Sequence, residues 1–176
     1  IPRGGFLLGD EPIEVDQAPL LVQAIRAALL CNDATLEQKK EDWRVHGDPM
    51  EGALVVLAVK AALEPEEERR QHPRTDLIPF ESEHKFMATL HHAHDGGAII
   101  YLKGAPEQLL ARCASVQGAA GEELSMDADR WWQRVEGMAN QGQRVLAVAC
   151  KQARDHQREL DFNDVEEGLV LLGLFG

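Results

Sequence analysis

Cysteine is scarce in this sequence, and the few there are stand far apart. Of 176 residues only three are cysteines, Cys31, Cys113 and Cys150, with no C-x-x-C pair and no histidine spacing of the zinc-site kind. An odd, scattered count argues against a disulfide framework, and a reducing compartment suits it best. Positive charge is short too: 18 lysines and arginines face 30 aspartates and glutamates, for a formal net charge of −12. That balance excludes the broad electrostatic attraction by which proteins hold nucleic acid or anionic lipid, so a phosphate ligand must be met by a few local cations. Long apolar runs are also missing. Ala53 to Val59 and Leu169 to Leu172 with its flanks fall well short of the roughly 18 to 20 residues that span a bilayer. The Ile1-Pro2-Arg3 start lacks the layout of a secretory signal. The chain is therefore expected to be soluble, and no internal repeat or low-complexity tract interrupts it.

What is present suffices for one core. With 44% apolar residues over 176 positions, the length fits a single compact domain covering residues 1–176. Leu21, Ala24, Ile25, Ala28 and Leu29 recur at a helical period, which predicts a helix over Ala18 to Cys31, stopped by Asn32-Asp33. A second helix is announced by Asp48 as cap, Pro49 at the first helical position and Glu51 three after the cap, and its stretch from Gly52 to Leu63 is apolar. Pro65 and the charged run Glu66 to Arg70 close that unit, and the acidic stretch Glu64 to Glu68 reads as a solvated helix end.

From Asp76 the period shortens. Leu77 to Phe80, then His84 to Leu90, then Asp95-Gly96-Gly97, then Ala98 to Lys103 read as strands around a Gly-rich turn, an antiparallel hairpin. Short helices follow at Glu107 to Cys113 and Asp127 to Gln141, and buried strands at Gln143 to Cys150 and Gly168 to Phe175. Gly118 to Glu123 and Gln152 to Asp164 are expected to be mobile loops. The order shows no regular β-α alternation, so the fold class is α+β: a twisted, mainly antiparallel sheet flanked by helices.

Four segments carry the chemistry, and each reads in two ways. In Gly47-Asp48-Pro49-Met50-Glu51-Gly52-Ala53-Leu54, Glu51 either folds back on the Asp48 cap or accepts a hydrogen bond from a ligand amino group. In Pro79-Phe80-Glu81-Ser82-Glu83-His84-Lys85-Phe86-Met87, alternation sends Phe86 inward and puts Lys85 and Met87 on one exposed sheet face. With Phe80 nearby, that face suits a planar aromatic ligand carrying phosphates, while the plainer reading is an edge hairpin with Phe80 in the core. Lys103-Gly104-Ala105-Pro106-Glu107 is either a strand-to-helix turn with a solvated lysine, or the floor of an anion or purine pocket that the backbone of Gly104 lets a ligand approach. Gly142 to Ala149 is an apolar strand whose single charge, Arg144, either snorkels at the strand end or offers its fork of donors to phosphate.

These segments, in this order and over nearly the whole chain, resemble the nucleotide-binding domain of P-type cation-transporting ATPases, closest to the calcium-pump and sodium-pump-like group. The pentapeptide K-G-A-P-E at Lys103 to Glu107 is highly specific; G-D-P-x-E-x-A-L at Gly47 to Leu54 and P-F-x-S-x-x-K-x-M at Pro79 to Met87 support it. The resemblance implies an ATP site in which Phe80 stacks on adenine and Glu51 contacts its amino group. Lys85 would line the pocket, Lys103 and Gly104 would form its inner wall, and Arg144 would reach the phosphates, with Ser82, Met87 and Asp48 as secondary contacts. Magnesium would enter with the nucleotide. The partners implied are the phosphorylation and actuator domains of one parent pump, with this piece a cytoplasmic part of an integral membrane protein, itself outside the bilayer. Neither the Asp-Lys-Thr-Gly-Thr, Thr-Gly-Asp-Gly nor Thr-Gly-Glu motif of the family occurs here. The chain by itself is thus expected to bind ATP without hydrolysing it appreciably, with no catalytic residue of its own, and Gly168 to Gly176 would be the strand returning toward the phosphorylation domain. Where related pumps carry a basic residue after the stacking phenylalanine, Ser82 and Glu83 stand here.

Two other functions fit the residues alone: a free-standing nucleotide hydrolase or transferase using Glu51 or the histidines as base, and an interaction domain without a working pocket. His91-His92-x-His94 could bind a transition metal or be a solvated turn. Trp131-Trp132 would divide between a core contact and a surface contact.

Overall fold

The structure, a computed structural model, describes residues 5–39, 42–93 and 96–176. The Ile1 to Arg3 start, and His94 and Asp95 of the turn read from sequence, lie outside the described residues. Two strands, β1 (Phe6–Leu8) and β2 (Glu11–Ile13), open the chain as a small hairpin. Helix α1 (Pro19–Leu30) follows, then a second hairpin of β3 (Thr35–Lys39) and β4 (Asp42–His46). Next come α2 (Pro49–Lys60), α3 (Pro65–Gln71), β5 (Arg74–Ile78), β6 (Phe86–His92), β7 (Ala98–Gly104) and α4 (Pro106–Leu110). The chain ends through β8 (Cys113–Gln117), β9 (Glu123–Ser125), α5 (Ala128–Asn140), β10 (Leu146–Gln152) and β11 (Leu169–Phe175), with a 3-10 turn at Phe162–Val165.

Seven of these strands form one sheet in the order β5-β6-β7-β10-β11-β8-β9. Every neighbouring pair is antiparallel except β11 with β8. This is the mainly antiparallel α+β sheet that the sequence predicts. Along β6, β7 and β10 alternate residues serve two separate cores. Phe86, Ala88, Leu90, Ile100, Leu102, Ala147 and Ala149 face one side, where Leu109 and Leu110 of α4 cover them and Trp131 and Val135 of α5 pack on the margin. Met87, Tyr101, Val148 and Cys150 face the other, under Ala24, Ala27, Ala28 and Leu30 of α1 and Leu54 of α2. Burial on both faces is why these strands read as nearly unbroken apolar runs. At roughly 1.5–3 kcal/mol per large buried side chain, the two layers supply most of what holds the sheet.

α2 is seated by its own chemistry. Asp48 caps it by accepting hydrogen bonds from the amides of Met50 (2.9 Å) and Glu51 (3.2 Å), and Pro49 fills the first turn without wasting a donor. Ile25 and Leu29 of α1 then pack against Val55 and Ala58.

Several local expectations need correction. The charged run after Pro65 is a helix, α3, and Glu68 within it is buried and takes the Arg26 guanidinium of α1 at 2.7 and 3.2 Å. It is no solvated end. The helix expected to run from Glu107 to Cys113 stops at Leu110, and Cys113 begins β8 beside β11. The segment 152–164, expected as a mobile loop, is tied down: Gln157 accepts from His92 at 2.9 Å, and Asp76 holds the Leu160 amide at 2.7 Å. Trp131 packs against the core while Trp132 is exposed, the division expected of that pair. No helix among the described residues is long and apolar enough to cross a membrane.

Candidate functional site

Antiparallel pairing brings the singled-out residues to one end of the sheet. Phe86 pairs with Gly104, and Gly104 with Ala147, while Met87, Lys103 and Val148 form the next row. The start of β6, the end of β7 and the start of β10 therefore lie side by side. Phe80 and Lys85 immediately precede the first, Lys103 and Gly104 terminate the second, and Arg144 leads into the third. Residues 64 positions apart in sequence, from Phe80 to Arg144, are gathered by topology alone.

Lys103 is neither a solvated strand end nor an open pocket floor. It is buried, and its Nζ donates to Glu51 Oε1 at 2.6 Å. Glu51 does not complete a capping box with Asp48; its Oε2 instead accepts the Asp33 amide at 3.3 Å. A buried ammonium without this carboxylate would be costly, so each group holds the other in place. A carboxylate has lone pairs beyond these two bonds, and the Glu51 side chain keeps 20% of its surface open, against 6% for Lys103. The outward member of the pair is the acceptor.

Asn32, read from sequence only as a helix stop, sets this geometry. It is buried at the end of α1, donates from Nδ2 to the carbonyls of Ala28 (3.3 Å) and Glu51 (3.0 Å), and accepts the Ala34 amide at Oδ1 (2.8 Å). α1, α2 and the Glu51 carboxylate are thereby locked together. An Asn after a helical run carries some signal of a cap, but its partner 19 residues on is invisible in one dimension.

Phe80 lies beyond β5 with more than half its surface exposed, so it is not a core residue of an edge hairpin. Lys85 and Met87 do not share an open face. Met87 is buried beneath α1, because α1 and α2 roof that side of the sheet. Lys85 sits before the strand in a left-handed conformation (φ 56°), which breaks the alternation and turns its side chain outward. There it is half exposed and 3.2 Å from Glu107 Oε1, a partner that sequence did not suggest. Ser82 is exposed in the turn between them, and Arg144 is exposed just short of β10, two residues outside the strand it was expected to open.

Gly104 has an internal reason to be glycine. A Cβ there would lie 2.5 Å from the Lys85 carbonyl oxygen and 2.6–2.7 Å from Phe86, so the space a side chain would claim already belongs to β6. His91 and His92 do not face a common site. His91 is buried and donates from Nδ1 to the His72 carbonyl at 2.9 Å, and burial depresses its pKa to about 4. Next to it, His92 is engaged through both ring nitrogens, with Thr75 Oγ1 and the Gln157 carbonyl. Adjacent residues on a strand point to opposite faces. His94 lies outside the described residues, and among those described no three His, Cys, Asp or Glu are gathered as a ligand set. Cys31 and Cys150 are buried and Cys113 is partly so; burial pushes the thiol of Cys31 up to about 11.

The family model for the P-type ATPase cytoplasmic domain N matches residues 20–176. Among curated proteins the chain is 44% identical over 181 residues to the cation-transporting ATPase pma1 of Synechocystis, an alignment covering 99% of this chain and 20% of that protein. It is 33% identical over 163 residues to calcium-transporting ATPase 1 of Lactococcus lactis, with 92% and 18% covered. It is 35% identical over 153 residues to a calcium-transporting ATPase of Listeria monocytogenes, with 85% and 17% covered. The chain thus spans about a fifth of the length of the relatives it matches.

Proposed function

The chain belongs to the family of P-type ATPase cytoplasmic N domains, and we propose that it is the ATP-holding module of a cation-transporting pump, presenting the γ-phosphate to an aspartate on a separate phosphorylation domain. One observation carries this reading above the others. A phenylalanine with 56% of its surface in solvent, Phe80, stands at the same sheet end as a buried ammonium–carboxylate pair whose acceptor faces out. An exposed phenyl ring gains by stacking on a purine, and the Glu51 carboxylate accepts from an exocyclic amino group, which favours adenine over guanine at that edge.

Lys103 acts on the ligand through Glu51. With 6% of its side chain exposed, it fixes the carboxylate in place more than it meets phosphate. Lys85 and Arg144, both exposed, are the cations within reach of a polyphosphate. Magnesium would arrive with the nucleotide and neutralise part of its charge. Against a net charge of −12, two surface cations add little, so stacking and shape provide most of the affinity.

Titration of the chain with magnesium-ATP, followed by calorimetry, tests this. Phe80→Ala should weaken binding about tenfold, the usual worth of one base–aromatic stack. Lys103→Ala should weaken it as well, by releasing Glu51. No binding at millimolar ATP, or binding indifferent to both substitutions in proteins with wild-type circular dichroism, would sink the proposal.

A further inference from the structure

We infer that His84 is a positioning residue for the purine platform, a role that rests on the ATP reading above. Its Nε2 lies 2.9 Å from the Pro79 carbonyl oxygen. A carbonyl only accepts, so Nε2 carries the proton and donates. That carbonyl belongs to the Pro79–Phe80 peptide unit, and a peptide is planar. Fixing its oxygen fixes the plane from which the Phe80 side chain departs.

The rest of the loop is closed around the same point. The Lys85 amide donates to the Glu81 carbonyl at 2.8 Å, and the Lys85 carbonyl accepts the Ala105 amide at 3.0 Å, which joins the loop to the Lys103-Gly104 corner. Lys85 pays for this connection with its left-handed backbone, a conformation kept only where the surroundings determine it.

His84 is itself held from behind. Its ring lies 4.7 Å from that of Phe86 in a tilted contact and 5.2 Å from that of Phe162 edge-on, with Phe86 and Phe162 6.2 Å apart. Phe162 stands on the 3-10 turn that Asp161 and Asp164 cap reciprocally, and Asp164 is anchored in turn by Arg154 and Gln157. The chain from Arg154 to Val165 therefore braces a loop on which Phe80 is otherwise exposed. A stacking ring already oriented before its ligand arrives loses less freedom on binding, and that saving appears as affinity.

The test is a double-mutant cycle on the 176-residue chain, read by titration with ATP and with tripolyphosphate. His84→Phe keeps the ring contacts and removes the donor; His84→Gln keeps a donor on a flexible stem. His84→Phe should weaken ATP about fivefold, the worth of one hydrogen bond, and leave tripolyphosphate unchanged. His84→Gln should stay within about twofold of wild type. In a Phe80→Ala background His84→Phe should have no further effect on ATP, because His84 acts only through that ring. Additive losses, or equal losses for tripolyphosphate, would overturn the inference and assign His84 a general structural role. An effect of Phe80→Ala with none of His84→Phe would overturn it too, leaving the ATP reading intact. Indifference of ATP binding to Phe80→Ala would remove both.

Discussion

Two buried polar side chains on neighbouring strands meet different fates. Lys103 on β7 is paired with Glu51 at 2.6 Å. His91 on β6 has no such partner: Nδ1 is satisfied by His72, while Nε2 is buried with none. Burial therefore favours the neutral ring and holds its pKa near 4, below the ordinary 6.5. The unfolded chain binds the proton more readily between those values, so the stability due to neutral His91 is present above about pH 6.5 and is lost as pH falls toward 4. Chemical denaturation at pH 7.5 and pH 5 should show a loss of about 2 kcal/mol from this residue. His91→Asn, which can still donate to His72, should flatten the difference; an unchanged pH slope would place the effect elsewhere. His84, on the same hairpin arm, is valuable for the opposite reason, since its donor reaches the surface loop that carries Phe80.

Elements with a strong internal period were legible in the sequence, and those stabilised by partners were not. α1, α2, α5 and the strands β6, β7, β10 and β11 fall where helical or extended patterning predicts them, because their apolar residues face a core directly. β4 does alternate Trp43 and Val45 with polar residues, but over only five positions, and it is exposed along its whole length in a two-stranded hairpin apart from the main sheet. β8 is short and half-buried, with no clean alternation between core and solvent. α3 is the sharpest case. After Pro65 its sequence is wholly polar, and it is held by the pairs Arg69–Glu66 and Arg70–Glu67, by Arg69 donating to the Ala34 carbonyl at 2.9 Å, and by the buried Glu68. Glu68 docks the helix on α1 through Arg26, with a side chain 10% exposed. Glu68→Gln should cost about 3 kcal/mol in urea unfolding by leaving the guanidinium poorly compensated, whereas Glu67→Gln should leave the midpoint nearly unmoved. Equal effects would mean that the Arg26 contact adds nothing. The site shows the same division. Residue type and motif single out Glu51, Phe80, Lys85, Lys103 and Arg144 as candidates, and topology brings them to one end of the sheet. Asn32, His84 and Glu107 were not found, since each acts through a partner distant in sequence or on a loop without period.

At the scale of the whole molecule, one sheet end gathers the candidate residues on a chain of net charge −12. The strands converge there with an exposed aromatic ring, an outward acceptor and two exposed cations. The chain matches the N domain of P-type ATPases over residues 20–176, and its relatives are about five times longer. On the function proposed above, the phosphorylated aspartate would belong to another part of the pump, and this domain would contribute the grip on the nucleotide. The most direct measurement is a map of amide NMR shifts during titration with magnesium-ATP. The account predicts that the perturbed amides cluster at residues 48–51, 79–86, 103–105 and 144–147, and leave the concavity lined by Arg154 to Glu159 unmoved. Shifts centred on that concavity or spread over the helical faces, or none at millimolar nucleotide, would contradict it.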